Sequence, residues 1–542
     1  MRIKEFVKQH PLFVTFLLIT ICIFPVILLR GASPSNELRY LSIVDEAIRN
    51  GNVFAFTNHG IPYADKPPLY FWLLMLCRQL FGAHLMPVYV LFSFIPAFVI
   101  IWIMDKWVGL KGTFNRMAMA LMLATTGMFL GMSVFLRMDM LMCMFITLAL
   151  YTFYNMYKGI GNQKAQKFLL PFWIFMALFT KGPVGLLVPP VSILIFLLLK
   201  HEGKQVGKYL GWRTWGIIAA FSALWFLGVY LDGGKEYLNN LLFHQTFDRA
   251  VNAFHHNKPF WYYLTAIWYV IAPYCLLCVG TFIASMVNKK RKKSDKELLF
   301  QVVIASTLVM LSCFSSKLSI YLAPIFPFII YLFALVEHRI GWKKWMSWTL
   351  GIPSFILMMV GILGLVATSS TRILTALSQH MDIYPFMTSS MIKIGCVLLA
   401  TGNFVAILWL IKAKAGSRPI CMIATSMLLT IYSVAYLLPQ INIYTTYGPL
   451  CEQVPDNTEV ATLYVHRPEN MDVYLGREIV DYQKDADKFL EMEVRNRTAA
   501  DGPLSIIIKA NKVNENIELS DFLHVLDRKY CGDYIVFTYN PE

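Results

Sequence analysis

Long apolar runs alternate with short charged loops from Pro11 to about residue 438. A helix needs about 20 mostly apolar residues to cross the hydrocarbon core of a bilayer, and thirteen runs approach that length. The sequence therefore predicts a polytopic α-helical membrane protein with about thirteen transmembrane helices. The predicted spans are 11–30, 84–104, 117–132, 139–157, 168–181, 183–199, 214–231, 263–287, 299–314, 319–336, 345–368, 389–411 and 419–438.

Basic residues mark one end of these spans. About half of the 48 Lys and Arg residues lie in short segments that connect spans on a single side: 1–10, 105–116, 158–167, 200–213, 288–297, 337–344 and 412–418. Cytoplasmic loops of membrane proteins carry such an excess of positive charge. We therefore expect a cytoplasmic N-terminus, with 11–30 retained as the first span. An odd number of spans then places the C-terminus on the other side of the membrane.

The composition agrees with this architecture and narrows the partners. The chain is 57% apolar and 15% charged, whereas soluble domains are about 25% charged. The net charge of +15 lies in the cytoplasmic loops rather than along one groove, so we expect no nucleic-acid partner. Eight of the ten cysteines lie in or beside apolar runs. Cys451 and Cys531 lie in the tail, and whether they pair is left open.

The chain changes character near residue 439. Apolar runs shorten to strand length at 460–466, 504–509 and 534–539, and charged, helix-like stretches at 484–495 and 519–529 separate them. This alternation predicts a small α/β domain over 439–542, outside the cytoplasm. Residues 1–438 are then the transmembrane domain.

The longest polar interval outside the cytoplasm is the first loop, residues 31–83. Ser33 and Pro34 suit the start of a helix and Asn50–Gly51 suit its end. Between them, apolar residues recur at helical spacing, which predicts an amphipathic helix lying in the membrane interface. Asn36 and Tyr40 are four residues apart and therefore share a face of this helix. The alternative is that the charges of this loop only contact lipid headgroups.

Other loops on the same side carry ionisable residues at the ends of spans, namely Arg137–Asp139, Lys181, His244–Arg249 and 316–324. Cations beside the bilayer on the side that positive charge normally avoids usually have an anionic partner. Because these positions lie at one depth, we expect them to converge on one site.

Six segments carry a family resemblance: NELRYLSIVDEAIRNGN, YADKPPLYFW, RMD, TKGP, HQTFDR and SKLSIYLAPIFP. Together they resemble the membrane glycosyltransferases of the C type, in particular the bacterial aminoarabinose transferases that act on lipid A, and more distantly the protein O-mannosyltransferases. The resemblance covers nearly the whole chain. It implies a multi-pass protein of the bacterial inner membrane with a periplasmic active site. It also implies the transfer, with inversion, of a sugar from a polyprenyl monophosphate such as undecaprenyl phosphate.

The resemblance also assigns roles to single residues. It makes Lys66, Arg249, Tyr40, Tyr63 and Tyr321 the holders of the lipid phosphate. It makes Asp65 and His244 a candidate pair for a divalent cation, zinc or magnesium, and Asp139 matches the second functional aspartate of the family.

Physical reasoning from the reaction supports some of these roles. Fixed cations stabilise the charge that develops on a leaving phosphate, which adds Lys181 to the phosphate-binding set. An acceptor hydroxyl needs a carboxylate to take its proton, and Asp139, Glu37 and Asp65 are available.

Position 36 departs from the family pattern. The first-loop motif of the family is Asp-Glu-x-x-Tyr, and this chain has Asn36 in place of the aspartate. An amide cannot accept a proton at neutral pH, although it can still hydrogen-bond a sugar hydroxyl. Either Asp139 or Glu37 replaces the lost base, or the acceptor is already an anion, such as a lipid A phosphate, and needs none.

The sequence thus predicts a glycosyltransferase, expected to act as a monomer on lipid A, another glycan or a protein. Two alternatives stay open. A polyprenyl-lipid transporter or flippase would show an internal repeat and charges within its spans, and neither pattern is evident. A catalytically weak lipid-sugar-binding relative is the second alternative, because of Asn36.

Overall fold

The computed structural model describes residues 3–242, 258–288, 292–380 and 382–541. Helices dominate as far as residue 451 and a single larger β-sheet follows. The helices of the first half are α1 Ile3–Gln9, α2 Pro11–Leu29, α3 Glu37–Asn50, α4 Leu69–Phe81, α5 Met86–Val108, α6 Thr113–Ala124, α7 Gly127–Val134, α8 Asp139–Lys158, α9 Gln163–Lys181, α10 Pro183–Leu199, α11 Val206–Leu210 and α12 Trp212–Asn239.

The second half of the helical part follows the same pattern. Its helices are α13 Tyr262–Val270, α14 Cys275–Val287, α15 Asp295–Cys313, α16 Phe326–Ile340, α17 Lys344–Ser369, α18 Thr371–Ser378, α19 Ser390–Ile411, α20 Ser417–Ala435, α21 Leu438–Thr445 and α22 Gly448–Cys451. A 3₁₀-helix, Ser319–Ile325, leads directly into α16.

The structure places helix at all thirteen predicted spans, but not always as one straight helix. In the described ranges, nine helical segments are long and apolar enough to cross a membrane. Helices α6 and α7 make a tenth if a pair bent by 71° counts as one span, so the span predicted over 117–132 consists of two helices rather than one. The multi-pass helical architecture is therefore confirmed, whereas the count of thirteen stays a prediction.

Burial separates central helices from peripheral ones. The apolar window is 83% buried in the segment Ser319–Ile340 and 72% buried in α8, but only 17% buried in α17. A helix that is apolar all round and buried must be surrounded by other helices, whereas an exposed apolar helix faces lipid. Asp139 and Tyr321 therefore lie at the ends of the two most enclosed segments of the bundle.

The first loop contains the predicted amphipathic helix, α3. Leu38, Leu41, Val44 and Ala47 are buried along one stripe, as their spacing predicts. Gly51 ends the helix in the left-handed conformation at φ 75°, which a residue without a Cβ adopts easily. The expected start is wrong. The helix begins at Glu37 and Asn36 takes the N-cap position, because Ser33–Ser35 are held by contacts elsewhere.

The short segment between α3 and α4 folds back on α3. Strands β1 Thr57–Asn58 and β2 Ile61–Pro62 form a two-stranded antiparallel hairpin. The carboxylate of Glu46 accepts hydrogen bonds from the backbone N–H groups of His59 and Gly60, at 2.7 and 2.9 Å. The hairpin is therefore fixed to the helix that precedes it.

The C-terminal part contains a five-stranded mixed sheet in the order β4-β3-β5-β7-β6. Its elements are β3 Glu459–Leu463, β4 Val480–Asp481, β5 Leu504–Lys509, β6 Asp527–Cys531 and β7 Tyr534–Tyr539, with helices α23 Asp472–Leu475, α24 Ala486–Phe489 and α25 Ile517–His524. Strand β3 runs parallel to β4 and β5, and β7 runs antiparallel to β5 and β6.

The sequence predicted three of these strands and missed two. The helix expected over 519–529 ends at His524, because β6 begins at Asp527 and pairs with β7. Strand β6 is mostly exposed, so its sequence lacks the apolar alternation that identifies a half-buried strand. Cys451 and Cys531 are both buried, and both are free thiols in the structure.

The sheet domain contacts the start of the first loop directly. Arg467 donates from Nη1 to the carbonyl of Ser35 at 3.1 Å, and Asn470 donates from Nδ2 to the carbonyl of Pro34 at 3.2 Å. Helix α23 also contacts α3, where the hydroxyl of Ser42 donates to Asp472 Oδ2 at 2.8 Å. The two parts of the chain therefore meet at the residues that precede Asn36 and Glu37.

Candidate active site

Asp139 lies at the centre of the candidate site. It is the first residue of α8, where the positive end of the helix dipole favours a carboxylate, and it is 1% exposed. Lys181 donates to Asp139 Oδ1, and Arg137 Nε donates to Oδ2 at 3.2 Å. The two oxygens of one buried carboxylate therefore each hold a cation.

Lys181 reaches Asp139 because of the turn between α9 and α10. It is the last residue of α9, and Gly182 reverses the chain at φ 96° and ψ −150°. A Cβ on Gly185 would lie 2.3 Å from the backbone of Ala177, so only glycine allows the two helices to approach this closely. The Nζ of Lys181 also lies 5.2 Å from the ring centre of Tyr321, within cation–π range.

The first loop supplies the other side of the site. Lys66 Nζ pairs with Asp65 Oδ2, and the hydroxyl of Tyr63 donates to the same oxygen at 3.3 Å. Lys66 also lies close enough to Lys181 for their charges to interact. Lys66, Lys181 and Tyr321, three of the residues predicted to hold a phosphate, are therefore brought together.

Asn36 and Tyr40 lie on α3 as predicted, each with a defined partner. Asn36 Oδ1 accepts a hydrogen bond from Arg39 Nη2 at 3.0 Å. The guanidinium of Arg39 lies 5.5 Å from the ring centre of Tyr63. Tyr40 is buried, its ring packs edge-on against Phe71, and it lies close enough to Arg137 for their charges to interact.

Glu37 is fully engaged in a structural contact. Its carboxylate accepts two hydrogen bonds from Arg30, at 2.6 and 2.7 Å. It also accepts from the backbone N–H groups of Ser33 at 2.7 Å and of Leu136 at 2.6 Å. The side chain is 1% exposed. Glu37 therefore fixes α3 to the turn that carries Arg137 and Asp139, and no lone pair is left free for a substrate proton.

Charge in the site is unbalanced. Among the described residues, four cations face it (Arg39, Lys66, Arg137 and Lys181), whereas only Asp65 and Asp139 carry negative charge there. The pair of Arg30 and Glu37 cancels. A site with excess positive charge is suited to an anionic ligand, and lysine and arginine are the residues that bind phosphate groups.

Two predicted residues, His244 and Arg249, lie outside the described residues. The candidate metal pair is therefore only half described. In the described ranges no group of three His, Cys, Asp or Glu side chains lies close enough to hold a metal ion. Asp65 is occupied by Lys66 and Tyr63, so the described donors alone do not fit a divalent cation.

Sequence reasoning missed two contributors. Arg137 belongs to a loop that was expected to converge on the site, but it was given no role there, and Arg39 was not predicted to be a site residue. The signal was present in Arg137, because an arginine two residues before a buried helix-initiating aspartate is positioned to pair with it. For Arg39 the signal was its spacing of three from Asn36, which places both side chains on one face of α3.

Comparison with solved structures finds the same fold in known proteins. ArnT from Cupriavidus metallidurans bound to undecaprenyl phosphate matches with a TM-score of 0.73 over 97% of both chains, at 14% identity. The apo state of the same protein matches with a TM-score of 0.71. At that identity the likeness shows the fold alone.

In sequence, the chain is similar to aminoarabinose transferases. The family model described as dolichyl-phosphate-mannose-protein mannosyltransferase matches residues 65–226. An undecaprenyl phosphate-alpha-4-amino-4-deoxy-L-arabinose arabinosyl transferase of Pseudomonas savastanoi pv. phaseolicola is 25% identical over 61% of this chain and 62% of its own length. An uncharacterized protein of Aquifex aeolicus is 24% identical over 54% of this chain and 57% of its own length. The match thus spans less than two thirds of these relatives.

Proposed function

We propose that this protein is an inverting glycosyltransferase that moves a sugar from a polyprenyl monophosphate, such as undecaprenyl phosphate, to an acceptor outside the cytoplasm. The observation that carries the proposal is the buried Asp139, held between Lys181 and Arg137 beside Lys66 and Tyr321. The fold shared with ArnT and the similarity to undecaprenyl-phosphate-dependent relatives support the donor class.

The leaving group explains the cations. When the bond between the sugar C1 and the phosphate oxygen breaks, the electron pair stays on that oxygen and the lipid phosphate gains charge. Lys66 and Lys181 are fixed by Asp65 and Asp139 before the reaction starts, so they stabilise this charge without reorganising. The hydroxyl of Tyr321, beside Lys181, supplies a further donor in this proposal.

The same geometry limits the choice of a base. Both oxygens of Asp139 are engaged by cations, Glu37 has four donors, and Asn36 is an amide. None of the three is free to take a proton from an acceptor hydroxyl unless an existing contact breaks, and Asp65, the remaining candidate, is already paired with Lys66 and Tyr63. We therefore propose that the acceptor oxygen is ionised before it attacks, as in a phosphate group of lipid A or of another glycan. Asp139 then serves to position Lys181 and Arg137.

Two further parts of the proposal concern the protein as a whole. We propose that it acts in the bacterial inner membrane, with the sheet domain and the site on the periplasmic face. A divalent cation near Asp65 and His244 stays a hypothesis, and no step above depends on it.

The test uses purified protein in detergent with undecaprenyl-phosphate sugars and candidate acceptors, and it measures release of undecaprenyl phosphate. The proposal predicts release that depends on the acceptor. Absence of release with every pair, together with movement of labelled lipid across vesicle membranes, would favour a transporter instead.

One observation favours a second candidate, a lipid-sugar-binding protein without turnover. Asn36 is neutral where the resembling family has an aspartate, and Arg39 occupies its oxygen. Tight binding of the donor by wild type without turnover would support this candidate. It would be strengthened if Asn36→Asp gained activity.

A further inference from the structure

The guanidinium of Arg137 is only partly used by the protein. Its Nε donates to Asp139, and its backbone carbonyl accepts from the hydroxyl of Ser93 at 2.9 Å. Within the part of the chain that the structure describes, neither terminal nitrogen of Arg137 has a hydrogen-bond partner. The side chain is 30% exposed beside a carboxylate that is 2% exposed. Arg137 is therefore a partly exposed arginine whose two terminal nitrogens present parallel donors next to the buried Asp139.

Arg30 shows both terminal nitrogens of a guanidinium bound within this fold. They donate to both oxygens of Glu37 and to two carbonyls, and the side chain is only 11% exposed. Arg137 presents the same pair of nitrogens, to which no described residue hydrogen-bonds. Two parallel N–H groups match the two oxygens of a phosphate or carboxylate, which is why arginine binds such groups in a bidentate manner.

Asp139 holds a different cation at each of its two oxygens. Lys181 donates to Oδ1 and lies beside Tyr321, whereas Arg137 donates to Oδ2 and lies near Tyr40. Inverting transfer brings two anionic oxygens to the sugar C1, the attacking one and the leaving one. Two cations at one carboxylate suit two anions, a leaving lipid phosphate and a charged acceptor.

We infer that Arg137 is a specificity residue that binds an anionic group of the acceptor, a phosphate monoester or a carboxylate, through its two terminal nitrogens. The inference rests on the proposed glycosyl transfer and names the chemistry of its acceptor. It explains how the site works with Asn36, since an ionised acceptor needs no base.

The transfer step balances without a proton. An oxygen of the acceptor anion forms a bond to the sugar C1, and the bond from C1 to the lipid phosphate oxygen breaks with its electron pair. The acceptor loses one negative charge and the lipid phosphate gains one. Negative charge therefore moves from the side of Arg137 to the side of Lys66 and Lys181, where the cations are already in place.

The test compares acceptors that differ only in charge. The probes are a glucosamine disaccharide lipid with a phosphate monoester, the same lipid after phosphatase treatment, and a version with a uronic acid in place of the phosphorylated sugar. For each, kcat/KM is measured with wild type, Arg137→Gln and Arg137→Lys, using the full chain in detergent. Two charged probes separate phosphate from carboxylate recognition.

We expect Arg137→Gln to lower kcat/KM for the preferred charged acceptor by about 10- to 100-fold, the range for a lost hydrogen bond to a charged group. The KM for the donor should change by less than threefold, and the phosphatase-treated lipid should be a poor acceptor for wild type and variant alike, because it has no ionised oxygen to attack. Arg137→Lys should recover part of the loss, because it keeps the charge but not the fork. Transfer to the phosphatase-treated lipid as fast as to the charged lipids, or a raised KM for the donor, would overturn the inference.

Arg78→Gln is the matched control. Arg78 is also 30% exposed and pairs through Nε with one carboxylate, Asp45, at 3.0 Å, but it lies at the end of α4. It should leave the acceptor preference unchanged. Binding of the three probe lipids is measured in parallel without donor. Wild type that binds the charged lipid through Arg137 but releases no undecaprenyl phosphate would sink the proposed transfer and keep the anion site. Equal binding of all three lipids by wild type and Arg137→Gln would remove the anion site itself.

Discussion

Asp139 and Lys181 form a buried ion pair whose members depend on each other. Taking one charge out of water costs several kcal/mol, and each of these two charges is compensated mainly by the other. The pair is therefore a requirement of the fold as much as a feature of the site.

Asp139→Asn should lower the unfolding free energy by about 3–5 kcal/mol, because it leaves Lys181 charged and unpaired. The double variant Asp139→Asn/Lys181→Met should be more stable than the single one, since no stranded amine remains. Thermal unfolding of the purified variants in detergent measures both effects. Strictly additive losses would show that the two side chains do not interact.

Glu37, at the start of α3, forms a second buried ion pair. Its carboxylate accepts hydrogen bonds from Arg30 and from two backbone N–H groups. Glu37→Gln should destabilise by about 3–5 kcal/mol, because Arg30 is left without a counter-ion. It should also lower activity, because the carboxylate of Glu37 holds the backbone of Leu136, the residue before Arg137.

Glu46→Gln is the matched control for this change. Glu46 lies on the same helix and also accepts from two backbone N–H groups, but among the described residues no cation pairs with it. Glu46→Gln should lower the thermal midpoint of unfolding clearly less than Glu37→Gln does. Equal losses for the two variants would show that the charge of Arg30 plays no part.

At the scale of elements, the contact between α3 and α23 involves two carboxylates, Asp472 and Asp45, whose pKa values are shifted in opposite directions. Burial raises the pKa of Asp472, and the charge of Asp45 raises it further, whereas Ser42 and His59 only partly offset this. Burial alone would also raise the pKa of Asp45, but its hydrogen bonds to His84 and Arg78 outweigh burial and lower it. The interface therefore carries one poorly compensated charge.

The sign of the stability effect follows from these directions. A carboxyl whose pKa is raised by folding destabilises the folded state once it ionises, above about pH 4, and costs nothing when both states are protonated. Asp472→Asn should therefore raise the thermal midpoint at pH 7 and have little effect well below pH 4, since the amide oxygen still accepts from Ser42.

Asp45→Asn should do the opposite and lower the midpoint at pH 7. The contribution of Asp45 is present above about pH 4 and is lost as the pH falls through its lowered pKa. Midpoints measured at several pH values compare the two variants directly. A shift of the same sign for both at pH 7 would contradict this account of the interface.

The elements also show how far sequence reasoning reaches. The apolar stripe of α3 and the membrane-length runs follow directly from composition and period, so they could be predicted. The bend between α6 and α7 could not, because both helices belong to one apolar run of the sequence. The partners of Glu37 were also out of reach: Arg30 is seven residues away, but Leu136 joins from 99 residues away through tertiary packing.

For the molecule as a whole, the basic loops predict an orientation that the structure alone does not test. Asp521→Cys lies exposed in α25 of the sheet domain and Lys164→Cys lies exposed near the start of α9. In spheroplasts, a membrane-impermeant maleimide should label position 521 and leave position 164 unlabelled until the membrane is opened. Labelling of both, or only of 164, would refute a periplasmic sheet domain. Wild type provides the background from native cysteines.

At the start of the first loop, the sheet domain binds backbone carbonyls. Arg467 and Asn470 donate to the carbonyls of Ser35 and Pro34, so these two hydrogen bonds do not depend on the side chains at positions 34 and 35. This contact therefore fixes where the loop begins without restricting which residues occupy it.

The turn at Gly182 gives the site an unequal capacity for evolutionary change. Lys181 is set by the backbone contact between α9 and α10, where a side chain on Gly185 would clash with Ala177. The start of the first loop is held instead through the carbonyls of Pro34 and Ser35, which any residue can supply. Substitutions at positions 34 and 35 are therefore easier for descendants of this protein to accumulate than a substitution at Gly185, beside the lysine proposed to hold the lipid phosphate.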